Sequence, residues 1–317
     1  MADLHLDYYD YKKLFRDREK RLQLINSLSF IPTVPYLKMV YRIKTGRKLD
    51  LRNPKNFAEK LNWLKVNDIH EDYTRYVDKY EMKKYISEKY GKEHVIPLLG
   101  AWKSFDSIDF NTLPKTFVLK CTHDSGSIRI IKDKNSEDLK ELKRFFDNRL
   151  AINSYNLGRE YPYKNVVPRI IAEEYYTTDD DQLISDCKFY CFDGVPKVMY
   201  IVSGRNANEK QNWYDMDFNQ LDIIDPTSPI SADQVEKPLC FEEMKAFAAD
   251  LSKGMKFVRV DLFVDRDKYY FGEMTFFPFG GFIILKPEEW DLKLGNWINT
   301  DTPHGNIGGA FYEYRAR

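Results

Sequence analysis

The sequence has no surplus of either charge: 49 Lys and Arg balance 49 Asp and Glu. A protein that mainly grips nucleic-acid phosphates needs a basic excess, so no nucleic-acid partner is expected. Long apolar runs are missing as well. None approaches the ~18 residues of a membrane-spanning helix, and the opening MADLHLDYYDYKKLF lacks the apolar core of a secretory signal. Cysteine is scarce: Cys121, Cys187, Cys191 and Cys240, with no CxxC pair. That argues against a zinc knuckle and fits buried thiols in a reduced, cytoplasmic setting. Repeats and low-complexity linkers are absent too.

What is present describes an ordinary folded chain. Its 317 residues, 43% hydrophobic and 31% charged, suffice for one large or two modest domains with a real core. Aromatics reach 15%, which reads first as a Tyr/Phe-rich core and second as carbohydrate stacking. The stretch FIPTVPYLKMVYRIKTGRK (30–48) is apolar, then basic. A helix packed on the main domain is expected there, with peripheral membrane contact as the other reading.

The first quarter reads as helical. Residues 7–47 carry breaks at Pro32 and Pro35, NPKNFAEKLNWLKVN (53–67) repeats Phe57, Leu61 and Leu64 at helical spacing, and YTRYVDKYEMKKYISEKYG (73–91) reads as one amphipathic helix ended by Gly91. HVIPLLGAW and TFVLKCT are strand-like, and SEDLKELKRFFDNRL (136–150) is a helix with a serine N-cap. PRIIAEEYY, DCKFYCFDGVPKVMYIVSG, a helix at 241–253 and the segment 257–281 complete the order. Mostly antiparallel strands with a crossing helix give an α+β or α/β order, not a simple doubly wound sheet.

FVRVDLFVDRDKYYFGEMTFFPFGG (257–281) is an apolar hairpin interrupted by one acid on each strand, Asp261 and Glu273. Counting back from the DRDK turn places them opposite each other to within a residue, with Arg259 on the same face. Facing carboxylates repel, and buried ones cost several kcal/mol or take up a proton. Two arrangements resolve this. A magnesium ion between the acids is one, since Mg2+ favours a couple of carboxylates plus water and nucleotide phosphate. In the other, Arg259 pairs with one acid while the second turns to solvent.

Upstream, TFVLKCTHDSGSIRII (116–131) is strand, Gly-containing polar loop, strand. The loop HDSGS has small residues whose N–H groups suit a phosphate, and Lys120 ends the strand entering it. A Walker GxxxxGK[ST] motif is absent. No Ser-His-Asp or Cys-His constellation stands out.

In order, NPKNFAEKLNWLK, YVDKYEMKKYI, VIPLLGAW, FVLKCTHDSGS, PRIIAEEYY, DCKFYCFDGVPK, VRVDL and FGEMTFFPFGGF resemble the TupA-like branch of the ATP-grasp superfamily, found in bacterial cell-surface polysaccharide gene neighbourhoods. The resemblance runs from about Asn53 to Asn296. It implies an α+β ATP-grasp fold: an N-terminal helical extension (1–70) and a catalytic domain (71–317) whose smaller (about 71–175) and larger (about 176–317) subdomains clamp ATP.

By that resemblance Lys83 points to the nucleotide, with Asp78 and Lys79 shaping its helix start. Lys120 precedes the phosphate-covering loop with Ser125, Gly126 and Ser127. The AEEYY segment holds adenine and ribose through Glu173, Glu174 and Tyr175, and Asp186 binds ribose with Lys188 on the same face. The metal residues are Asp261, Glu273 and Thr275. Thr275 stands where many members have asparagine, which weakens the case for a second metal ion. Arg259, Arg205 and Lys210 are further cations for the γ-phosphate or an acidic substrate.

The resemblance further implies an ATP- and Mg2+-dependent carboxylate–amine ligase acting on a sugar acid or acidic polymer. A glycan kinase would use the same site. A glycosyltransferase is the other enzyme class, for which the triplets DDD (179–181), DMD (215–217) and DRD (265–267) are candidate metal and nucleotide-sugar ligands.

Overall fold

The computed structural model describes residues 18–176, 185–203, 210–226, 228, 230–231 and 235–301. Helices α1 (Arg18–Ser27), α2 (Thr33–Thr45), α3 (Phe57–Asn67), α4 (Tyr73–Val77) and α5 (Lys79–Lys89) come first. Strands β1 (Leu98–Trp102), β2 (Phe117–Cys121) and β3 (Ile128–Ile131) follow, then α6 (Leu139–Leu150), α7 (Ser154–Gly158) and β4 (Ile170–Glu174). The rest is β5 (Ser185–Phe192), β6 (Val195–Ser203), β7 (Lys210–Asp215), β8 (Gln220–Leu221), α8 (Phe241–Ser252), β9 (Phe257–Asp265), β10 (Lys268–Thr275) and α9 (Glu288–Trp297).

Two compact units result. Among the described residues, the first holds 18–32 and 69–176, and the second 33–68 and 185–301. The stretch 1–70 is thus not one block. Helix α1 belongs with the first unit, while α2 and α3 belong with the second.

The first unit carries an antiparallel sheet in the order β1-β4-β2-β3. Its inner face packs Phe117, Leu119, Ile131, Ile170 and Ala172 against Leu142, Phe145 and Phe146 of α6. The second unit has a six-stranded antiparallel sheet in the order β10-β9-β5-β6-β7-β8. Phe57 of α3 meets Phe257 with ring centroids 5.2 Å apart and Tyr190 at 5.9 Å. The aromatic surplus of this chain is therefore largely core. Helix α2 buries Tyr36, Leu37 and Tyr41, so part of the apolar 30–48 stretch is spent on packing. All four cysteines are free and buried. Among the described residues no helix is long and apolar enough to cross a membrane.

Three local expectations are corrected. Pro35 does not break a helix: it lies in the first turn of α2, where an amide hydrogen has no helical partner to lose. Residues 73–91 form two helices, not one. Asp78 takes an extended conformation (φ −75°, ψ 106°) and caps α5 by accepting from the Tyr80 and Glu81 amides. Helix α6 is capped by Asp138 rather than Ser136, through the Lys140 and Glu141 amides. The last two results follow from side-chain capping, which outranks apolar periodicity at helix ends.

Candidate functional site

In the first unit, α5 turns Met82, Lys83, Tyr85 and Ile86 inward. Lys83 is thereby buried, and its Nζ donates to the Ile96 carbonyl at 3.0 Å and lies 3.1 Å from Glu173 Oε1. Lys120 approaches the other carboxylate oxygen, 2.6 Å from Glu173 Oε2. Register explains the meeting: Glu173 on β4 pairs with Val118 on β2, so Lys120 is its diagonal neighbour on the same face. Burial lowers the Lys83 ammonium to about 8, against the pull of Glu173. Burial also pushes Glu173 up, but Lys120 and then Lys83 outweigh it and hold the carboxyl below its ordinary value. Two cations thus share one anion.

Glu173, expected near adenine or ribose, turns its side chain to the two lysines expected at the nucleotide. Glu174 is exposed, with its amide on the Pro97 carbonyl at 3.1 Å, and Tyr175 is half-buried beyond the strand. The loop 123–127 turns through Gly126 at φ +80°, a conformation that favours glycine. Ser127 donates its hydroxyl to Asp124, and Lys79 Nζ donates to the Asp124 carbonyl at 2.8 Å. The Lys79 amide reaches the Thr122 carbonyl at 3.4 Å, tying the start of α5 to the loop. Arg169 escaped the sequence reading. It pairs with Asp78 at 2.9 Å and Glu81 at 3.3 Å, and so braces that start.

In the second unit one row of side chains crosses five strands. Glu273, Asp261, Lys188, Tyr200 and Trp213 are successive register partners on β10, β9, β5, β6 and β7. A register shift at Gly272 creates this row. A straight count from Lys268 and Asp265 would set Gly272 opposite Asp261 and turn Glu273 to the other face. The extra residue brings Glu273 round. A Cβ on Gly272 would meet the Asp261 carbonyl oxygen at 3.0 Å.

Arg259 Nε and Nη2 donate to the two oxygens of Asp261, each at 2.6 Å. Lys188 Nζ donates to Asp261 Oδ2 at 2.7 Å and pairs with Asp186 Oδ2 at 2.7 Å. Arg259 also donates to the Tyr200 hydroxyl at 3.3 Å and to Thr275 Oγ1 at 3.2 Å, and lies 3.9 Å from Glu273. Glu273 is about one-third exposed, with 31% side-chain accessibility. Arg259 thus pairs with Asp261, while Glu273 stays within reach of the same guanidinium. Burial alone would lower the Lys188 ammonium, but Asp186 and then Asp261 outweigh it and raise it. Burial raises Asp186, against Lys188. Tyr200 was not foreseen; only the cross-strand register reveals it.

Lys210 is half-buried at the start of β7, opposite Ser203. Arg205, Ser203's side chain and the DDD triplet lie outside the described residues. In the DMD triplet Asp215 closes its own turn: Oδ1 accepts from the Asp217 and Asn219 amides, and Oδ2 from the Asn219 side chain. The DRD triplet spans the β9–β10 turn, with Arg266 at φ +57°.

The fit to a divalent cation rests on charge. Asp186, Asp261 and Glu273 face Lys188 and Arg259, three acids against two bases. Asp186 Oδ1 is buried without a hydrogen-bond partner among the described residues. Hard oxygens with a negative excess suit Mg2+. The described residues hold no group of three or more His, Cys, Asp or Glu arranged for a metal. Mg2+ typically takes a couple of protein carboxylates, with other oxygens completing its shell.

The TupA-like ATP-grasp family model matches residues 59–299, and the chain belongs to that family. Among solved structures, D-alanine–D-alanine ligase from Bacillus anthracis complexed with ATP is 15% identical, with a TM-score of 0.38 over 63% of this chain and 55% of that one. The ATP-grasp ligase PsnB complexed with minimal precursor is 10% identical, with a TM-score of 0.38 over 65% of this chain and 53% of that one. D-alanine–D-alanine ligase from Helicobacter pylori is 12% identical, with a TM-score of 0.39 over 79% of this chain and 69% of that one. The chain thus covers 55% of the first ligase's length and 53% of the second's. A comparison with curated proteins found no match.

Proposed function

We propose that the protein is an ATP- and Mg2+-dependent carboxylate–amine ligase that modifies a cell-surface polysaccharide or its sugar-acid precursor. Charge imbalance within each unit carries the reading. Lys83 and Lys120 outnumber Glu173, which suits phosphate oxygens. Asp186, Asp261 and Glu273 outnumber Lys188 and Arg259, which suits a divalent ion. Family membership points to the same chemistry.

In this reading the acceptor carboxylate attacks the γ-phosphate of ATP, releasing ADP and leaving an acylphosphate. An amine then displaces phosphate to form the amide. The protein positions reactants and neutralises charge. Lys83 and Lys120 exchange Glu173 for phosphate oxygens. Asp261, Glu273 and the Thr275 hydroxyl would hold Mg2+, which would supply Lewis-acid neutralisation of the phosphates. Arg259 and Lys188, released from Asp261, face the transferred group. Ser125, Gly126 and Ser127 cover the phosphates; Glu174, Tyr175 and Asp186 serve the nucleoside; Lys210 and Arg205 meet the acidic acceptor. A glycan kinase would share these residues. The glycosyltransferase reading loses ground because Asp215 already serves its turn.

Thermal-shift titration tests the nucleotide. Mg-ATP is expected to raise the melting temperature, and a UDP-sugar to leave it unchanged. Lys120→Ala and Glu273→Ala should each weaken Mg-ATP by about ten- to a hundredfold, the loss of one charge-assisted contact. A UDP-sugar response indifferent to both substitutions would refute the assignment.

A further inference from the structure

Helix α6 ends its inward face with an arginine. Arg149 follows Leu142, Phe145 and Phe146 into the interior and is 3% exposed. A guanidinium so buried is expected to face an acid. Its Nε has no hydrogen-bond partner among the described residues. What it touches is the Phe145 ring, 5.2 Å from guanidinium carbon to centroid. The same ring carries Arg129 at 3.5 Å.

A third arginine arrives from α1. Arg18 donates through Nη2 to the Ser125 carbonyl at 3.0 Å and through Nη1 to the Gly126 carbonyl at 3.3 Å. It lies so close over Gly126 that a Cβ there would come within 2.4 Å of Nη2. After burial, Arg149 is the strongest influence holding Arg18 below its ordinary pKa, and Arg21 and Arg129 add to it. Asp124 is the acid that counters them most. Its Oδ2 takes the Ser127 hydroxyl, and its Oδ1 is buried without a partner among the described residues. Arg18, Arg21, Arg129 and Arg149 outnumber Asp124 and Glu19 here, and such cations repel one another unless an anion joins them. Arg18 still has donors to spare, since a guanidinium carries five N–H groups.

We propose that Arg149, Arg18 and Arg129 form an oxyanion site beside the 123–127 loop, built for a phosphate or carboxylate group and separate in its residues from Lys83 and Lys120. Planar guanidinium groups suit two-oxygen recognition of such anions. The site gives α1 a role: it supplies Arg18 and pins the loop carbonyls. Two sources carry the required group, the nucleotide's terminal phosphate and an acidic acceptor. Choosing between them rests on the ligase reading; the site itself does not.

Calorimetric titration of the full chain with inorganic phosphate is the test. Wild type is expected to bind it. Arg149→Met should weaken binding about ten- to a hundredfold and, having lost a buried unpaired charge, should melt higher in the absence of anion. Arg149→Lys should recover part of the affinity. Arg18→Ala, at an exposed position, should weaken phosphate binding too, and it serves if Arg149→Met fails to fold. Lys120→Ala should leave a phosphate-binding component that Arg149→Met removes. Competition then names the source: displacement of phosphate by Mg-ATP identifies the nucleotide, and displacement by a uronic-acid oligosaccharide identifies the acceptor. Absence of phosphate binding in wild type, or binding unchanged in Arg149→Met and Arg18→Ala, overturns the site. Loss of Mg-ATP binding with phosphate binding intact would instead count against the ligase reading alone.

Discussion

Replacing Glu173 with alanine should destabilise the protein by about 3–5 kcal/mol near neutral pH, the usual cost of removing one partner from a buried ion pair. Glu173 is the carboxylate shared by Lys83 and Lys120, and both lysine side chains are largely buried. The penalty should depend on pH. In the native protein Lys83 sits at about 8, so it is charged below that value and mostly neutral above it. Without Glu173 its pKa falls further. A base depressed by folding destabilises while the unfolded chain is still protonated, and this burden is heaviest at low pH. The difference between variant and wild type should therefore be larger at about pH 6 than at about pH 9, where Lys83 is largely neutral in both. Urea unfolding at the two values measures it. A difference that does not change with pH would show that Glu173 does not hold the Lys83 charge. Glu173→Gln, which keeps the shape, should fall between.

The second large effect concerns a residue outside both charged clusters. Asp291 in α9 is fully buried, and burial lifts its carboxyl from 3.8 to about 7 against the Leu285 amide and Arg47. An acid raised by folding binds its proton more tightly in the native state. Its stabilising contribution is present below the unfolded value and is lost as pH rises toward the folded one. The protein should thus lose up to about 4 kcal/mol from this group between about pH 4 and about pH 7, at ~1.4 kcal/mol per unit. Asp291→Asn should remove that slope and leave the variant more stable than wild type at about pH 8. Equal slopes in the two proteins would contradict it.

These two residues illustrate what a sequence exposes and what it hides. The acid hairpin was readable because alternation fixes which residues share a face, so Arg259, Asp261 and Glu273 could be grouped from spacing alone. The uncertainty of one residue was real. Only the register shift at Gly272 decides that Glu273 meets Asp261 rather than pointing away. Lys120 was visible as a charge among apolar strand residues. Its partner was not, because the diagonal neighbour on β4 depends on a register between segments about fifty residues apart. Tyr200, Arg169 and Arg149 were missed for the same reason, since each acts through contacts distant in sequence. The apolar period hid the helix ends at Asp78 and Asp138, and only the family resemblance placed a helix start at Asp78 and Lys79. Asp291 gave no signal at all; inside α9 it reads as one more surface acid.

Self-neutralisation links the two candidate clusters. Within each unit, side chains assigned to ligands are held by one another: lysines by Glu173, and Asp261 by Arg259 and Lys188. Such pairs keep buried charge tolerable before ligands arrive, and each retains an unbalanced charge to attract one. The proposed chemistry requires the pairs to exchange partners rather than form from unpaired groups.

The most direct test of that chemistry follows oxygen. Protein, Mg-ATP, an amine and a sugar acid labelled with oxygen-18 in its carboxylate are incubated, and the released phosphate is analysed by mass. The ligase reading predicts ADP, an amide product and one labelled oxygen in inorganic phosphate, transferred when the amine breaks the acylphosphate. ADP with a phosphorylated sugar and no labelled phosphate would mean a kinase, and turnover of a nucleotide sugar without ATP would contradict the account outright.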